Sequence, residues 1–186
     1  MRKKLVNILL CGLIILGLCG CGNNEVNDIG KENNQSKEEY GSVEEEKVDI
    51  LVAKFNTQVE DNSKLNPASE DYLTLSNGEY WYGLIDGIYL VVVPEKYTGD
   101  KTSEVVNYSL LYVKKDSKYI NDASSYIKYL IKANNSEITD SEIETLLEDV
   151  KTKTNSGETA NNGKGISIGY MESDDTYQYQ VLRLYK

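Results

Sequence analysis

Apolar residues first recur at a helical period: Val48, Leu51, Val52, Phe55 and Val59 form one stripe. The pattern predicts a helix over 43–60 that packs on a sheet, with Ser42-Val43-Glu44-Glu45 as a capping box at its start. Residues 61–68 then read as a loop, since Pro67 lacks the N–H that a helix interior needs. Beyond it the period changes to two. A short strand is expected at 72–75 and a turn at Ser76-Asn77-Gly78, followed by an aromatic strand over 79–85. Asp86-Gly87 signals a hairpin of the mirror-image type I′, which takes positive φ at both central residues. The return strand over 88–93 is apolar on both faces and is expected to be central, covered at least in part on both sides. Pro94 ends it, 95–101 form a loop, and 105–113 make a third strand with Val106, Tyr108, Leu110 and Tyr112 on one side.

The helical period returns over 117–133, where Asp116 or Ser117 can cap and Ile120, Ala123, Ile127, Leu130 and Ile131 mark the buried side. Asn134-Asn135 stop that helix. Thr139-Asp140-Ser141-Glu142 is a second capping box, and Ile143, Leu146, Leu147 and Val150 follow at i, i+3, i+4 and i+7. Acidic side chains in its first turn and Lys151 and Lys153 at its end suit the helix dipole. Residues 154–165 are polar and glycine-rich and read as a mobile loop. Two strands close the chain: Ile166, Ile168 and Tyr170 alternate in one, Tyr177, Tyr179, Val181, Arg183 and Tyr185 in the other. The expected order is α-β-β-β-α-α-β-β. With two hairpins and few βαβ opportunities, this predicts a single α+β domain over 43–186, with three helices and a mostly antiparallel sheet of about five strands.

The first 21 residues follow a different pattern. Arg2, Lys3 and Lys4 precede an apolar run over 5–18 that is shorter than the ~20 residues of a membrane-spanning helix. The run ends in Leu18-Cys19-Gly20-Cys21. A basic start, an apolar stretch and a small residue at the cut are the parts of a secretory signal. The four-residue motif resembles the lipobox of bacterial lipoproteins, with Leu18, Gly20 and Cys21 at the matching positions and Cys19 where Ala, Ser or Thr is commoner. The resemblance implies cleavage between Gly20 and Cys21 and a diacylglyceryl group on the Cys21 thiol. The lipid would hold the protein to the outer face of the cytoplasmic membrane, and two acyl chains anchor firmly where one binds marginally. Cys19 is the poorer acceptor, because Leu18 is too bulky for the preceding position. Residues 22–41 hold few apolar side chains and are expected to act as a flexible tether with a span of ~25 Å.

Composition narrows the chemistry. The three cysteines all lie at or before Cys21, so a mature chain of 166 residues would contain no thiol for a disulfide, a nucleophile or a metal. Histidine is absent, which removes the Ser-His-Asp arrangement and imidazole-ligated zinc or copper. Cleavage would remove three cations and no acid, taking the net charge from −10 to −13. Such a balance argues against nucleic acid as a partner. The richness in Asn, Lys, Ile and Tyr, with 2 Pro and 1 Trp, points to an AT-rich Gram-positive source.

Two stretches, one acidic and one glycine-rich, superficially suggest sites. Glu172, Asp174 and Asp175 have the oxygens for a hard cation but neither the spacing nor the glycine of an EF-hand loop. Asn161 to Gly165 lack the first glycine and closing hydroxyl of a phosphate loop. No metal and no cofactor is assigned. The remaining candidate is aromatic: Tyr80, Trp81 and Tyr82, with Tyr89 across the hairpin, as a binding surface. Alternation puts Tyr80 and Tyr82 on one face and Trp81 on the other, so the three cannot share one platform. The reading is a lipid-anchored, non-catalytic binding or interaction module whose partner is an envelope protein, peptide or glycan. The alternatives are a carboxylate-dependent hydrolase of envelope material and, less favoured, a substrate-binding lipoprotein of a transporter. The hydrolase would need two buried or cleft carboxylates with raised pKa, about 5–9 Å apart.

Overall fold

A computed structural model describes residues 43–184 apart from Ser63 and Asn162. The lipobox, Cys21, the tether, Ser42 and Tyr185 lie outside the described residues. Within them the order is α1 (Val48–Glu60), β1 (Tyr72–Thr74), β2 (Tyr80–Ile85), β3 (Ile88–Pro94), β4 (Val106–Lys114), α2 (Ala123–Asn134), α3 (Asp140–Thr152), β5 (Thr159–Asn161), β6 (Ile166–Glu172) and β7 (Thr176–Arg183). A 3-10 turn, Ile120–Asp122, leads into α2. No helix among the described residues is long and apolar enough to cross a membrane.

The strands form one antiparallel sheet in the order β1-β2-β3-β4-β7-β6-β5. The α+β class and the antiparallel sheet agree with the sequence expectation. The strand number does not: the sheet has seven strands rather than about five. Part of the stretch expected to be a mobile loop is β5, which pairs with β6 through Ala160↔Ile168 and buries Ala160. A three-residue strand between glycines has too little periodicity to announce itself; the long β6 edge draws it in.

The helix starts differ as well. Residues 43–46 are not helical, and Lys47 bridges to Val105 while Val106 N–H donates to the Glu46 carbonyl. This extended pairing holds the segment beside β4 and delays α1 to Val48. There the first helical N–H groups donate to the carbonyls of Glu104 and Lys101, so backbone replaces a side-chain cap. Ser117 does not open α2 either, because its hydroxyl donates to the Asp86 carbonyl and accepts from Tyr119 N–H in the preceding turn. By contrast, the Thr139–Glu142 box forms as expected, with both reciprocal bonds. At Asp86-Gly87 only Gly87 takes a positive φ, of 81°. The turn is therefore not type I′, and the register shift between Gly83 and Ile85 absorbs the difference.

All three helices cover the same face of the sheet. The core joins Leu51, Phe55 and Val59 of α1, Tyr126, Ile127 and Leu130 of α2, and Ile143, Leu146 and Val150 of α3 to one set of strand residues. That set includes Tyr80, Tyr82, Leu90, Val92, Leu111, Ile168, Tyr179 and Val181. Phe55 stacks on Tyr126 at 6.3 Å, so α1 leans on α2 as well as on the sheet. A polar clamp closes one end of this layer. Arg183 donates through Nη1 to the Glu46 carboxylate (3.0 Å) and the Asn134 carbonyl (3.0 Å), and through Nη2 to the Glu44 carbonyl (2.9 Å). Lys54 also pairs with Glu46, and Asn134 donates to Ser109 Oγ on the sheet.

Candidate functional site: the open sheet face

Directly paired residues in an antiparallel sheet point to the same side. The register therefore traces rows across the face that the helices leave uncovered. One row crosses every strand: Leu73, Trp81, Val91, Leu110, Gln180, Gly169 and Thr159. The next holds Gly83, Tyr89, Tyr112, Gln178 and Met171, and a third holds Val93, Tyr108, Leu182 and Ser167. None of these side chains carries a charge at neutral pH. Val91 and Leu110 are buried although no element among the described residues lies over them. Their neighbours close over them instead.

The centre of this face is an aromatic trio. Trp81 lies 5.3 Å from Tyr112 and 5.9 Å from Tyr89, and the two tyrosines are 6.2 Å apart, all edge-to-face. Such contacts are the favoured geometry of aromatic pairs and make the cluster rigid. The indole N–H donates to Glu79 at 2.9 Å, which fixes the ring. Tyr108 has its hydroxyl pKa raised by burial, with the Glu79 charge adding to the effect. Leu73, at the outer end of the first row, is 72% exposed.

The four candidate aromatics thus separate. Trp81 and Tyr89 meet on the open face; Tyr80 and Tyr82 lie beneath the helices, 2% and 1% exposed, and belong to the interior. The alternation foresaw the division between Tyr80/Tyr82 and Trp81. The sequence reading missed Tyr112, Val91, Gln178 and Gln180 as companions of Trp81. The one-sided set Tyr108, Leu110 and Tyr112 was the available signal, but Val106 does not belong to it. A register shift between Val93 and Pro94 turns Val106, fully buried, into the helical core.

Carboxylates were the alternative chemistry. Burial alone would raise Glu104, but donors from the Tyr80 hydroxyl (2.7 Å), the Thr98 N–H and hydroxyl, and the Gly99 N–H outweigh it and hold the carboxyl below its usual range. Glu46 is committed to Arg183 and Lys54. Glu142 is drawn down to about 2 by Lys164 and by the capping bonds of Thr139, and Glu172 is lowered by Lys115 and Tyr170. Every carboxyl with a displaced pKa among the described residues moves down, the opposite of what a general acid needs. A cavity of about 480 Å³ is lined by Glu46, Lys54, Lys132, Asn134 and Arg183, among others; within it Glu46 pairs with Lys54 and Arg183, Arg183 also serves the Asn134 carbonyl, and Lys132 pairs with Asp140 beside it. At the two stretches that superficially suggest sites, Glu172 pairs with Lys115 at 2.6 Å and Lys164 with Glu142 at 2.8 Å.

No family model, no curated protein and no solved structure matches the chain.

Proposed function

We propose that this is a lipid-anchored extracytoplasmic binding protein without catalytic activity, held by a diacylglyceryl group on Cys21, whose open sheet face docks a protein partner. The observation that carries the binding reading is the uncharged row from Leu73 through Trp81, Val91 and Leu110 to Gln180, over which no helix of the described residues lies while the opposite face lies under three. Contiguous apolar patches beyond a few hundred Å² are rare on monomers and mark interaction surfaces. The edge-to-face trio supports a protein partner over a glycan, because rings turned into one another resemble half of a sandwich interior rather than a flat stacking shelf. The hydrolase reading is disfavoured by the downward carboxyl pKa shifts, and the transporter reading by a single sheet with one helical layer in place of two lobes.

Two experiments test this. Cys21→Ala is expected to abolish acyl labelling and membrane retention; labelling that persists refutes the anchor. Crosslinking in intact cells followed by mass spectrometry should recover protein through the open face. The yield should fall at least fivefold in Tyr112→Ser, with no change in Ser124→Ala on α2. Recovery that ignores Tyr112, or no recovery at all, refutes the face.

A further inference from the structure

We infer that the partner on the open face is a second copy of this chain, packed sheet to sheet about a twofold axis. The inference rests on the reading of that face as a protein-docking surface and names its occupant.

Three observations favour a second copy. The first is charge. The chain carries −10 overall, so two copies repel across most of their surface. Within the three rows the one charged side chain is Glu79, at the β2 end of the third row, and two like-charged copies approach most readily over the remainder.

The second is complementarity at the rim. Glu79 stands at one end of the face, where its carboxylate accepts the Trp81 indole N–H. Lys114 stands at the other end of the strands, paired with Thr176. Between them lie about six residues, or roughly 20 Å along the strands, and only two strands across. A twofold axis lying between the faces and across the strands reverses the strand direction. It lays the Glu79 end of one copy over the Lys114 end of the other, twice. This self-complementary pattern is what an isologous interface requires.

The third is area. Five strands of about 20 Å and two of about 10 Å, spaced at about 4.8 Å, give a face of roughly 600 Å². Two such faces bury about 1,200 Å², the lower bound for stable specific interfaces. The side chains are suited to it: Trp81, Tyr89, Tyr112, Val93 and Leu182 are only partly covered by their own chain, as the inner face of a sandwich is before its second sheet arrives. Confinement of both copies to one membrane would raise their effective concentration.

The test is crosslinking of the full chain in membranes, through single introduced cysteines. Gly83 faces this side with nothing within 4 Å of a Cβ, so Gly83→Cys leaves the fold undisturbed; Gln180→Cys is a second position on the same face. Treatment with a short bismaleimide should give a band of twice the chain mass from each. The unaltered chain and Ser124→Cys on α2 should give none. Glu79→Lys alone and Lys114→Glu alone should each lower the yield at least fivefold, and the two together should restore it. Crosslinks only to a protein of another mass overturn the second copy and leave the docking face standing. No crosslink from either position overturns both. A dimer band that the charge exchange does not rescue overturns the twofold arrangement.

Discussion

Arg183→Met removes the cation that joins β7 to the segment before α1 and to the end of α2. Arg183 and Glu46 are each 4% exposed, and the guanidinium also serves the carbonyls of Asn134 and Glu44. The methionine keeps most of the volume and leaves a carboxylate buried with Lys54 as its remaining cation, one whose own side chain is 55% exposed. Removing one partner of a buried pair costs about 3–5 kcal/mol, because the surviving charge stays desolvated. Lys54 screens part of that, which places the expected loss near 3 kcal/mol, about a 150-fold shift in the folding equilibrium. With a urea slope of about 2 kcal/mol/M the midpoint should fall by roughly 1.5 M. Trp81 is the chain's one tryptophan, so its fluorescence reports the transition without a label. Adding Glu46→Leu removes the stranded charge and should recover at least half of the loss, since apolar replacements of buried pairs are often close to neutral. A single-variant loss below about 1 kcal/mol would refute the clamp. A double variant no better than Arg183→Met would show that the loss arises from the carbonyl bonds rather than the buried charge.

Tyrosine hydroxyls give a paired test. The Tyr82 hydroxyl is buried without a hydrogen-bond partner among the described residues, so Tyr82→Phe should stabilise by up to about 1 kcal/mol. The Tyr126 hydroxyl accepts from Asn66 N–H and donates to its carbonyl, and Tyr126→Phe should destabilise by about 1–2 kcal/mol in the same urea titration. Thr139→Ala breaks the capping box of α3 and should cost about 1 kcal/mol. Glu142, normally near 4.5, sits at about 2 when folded, so the stability it contributes is complete above its unfolded pKa and is lost as pH falls from there toward 2. Glu142→Gln should flatten that acid limb, and a limb of unchanged slope between pH 5 and 2 would contradict the assignment. Gly87→Ala places a Cβ 2.8 Å from that of Ser117 at φ 81° and should cost about 1–2 kcal/mol or more, whereas Gly83→Ala, with open space above it, should shift the midpoint far less.

An open antiparallel face and a helical face ask different things of a sequence, and β3 shows the ambiguity. Ile88, Leu90 and Val92 meet the helices, while Tyr89, Val91 and Val93 line the bare side, and both sets are apolar. A strand reading of this kind predicts cover on both sides. Among the described residues the helices cover one side only, and Val91 is nonetheless buried on the other. This surplus of apolar character is the physical basis for a docking partner.

The sequence by itself determined what is local: the periodicity of each helix, the alternation within the longer strands, the Thr139–Glu142 cap, and the separation of Tyr80 and Tyr82 from Trp81. These follow from contacts within a few residues, which a linear pattern records. Tertiary structure alone decided which strands are neighbours. The β4–β7 pairing joins Leu110 to Gln180 across the whole helical segment, and it places Trp81, Tyr112, Gln178 and Gln180 on one surface. It also decided that residues 43–47 are extended, with Val43 N–H on the Leu184 carbonyl and Lys47 bridged to Val105, instead of starting a helix, and that β5 forms where the chain reads as a loop. Each of these depends on an unfilled backbone edge or a buried charge supplied by residues far along the chain, and no local pattern encodes such a partner.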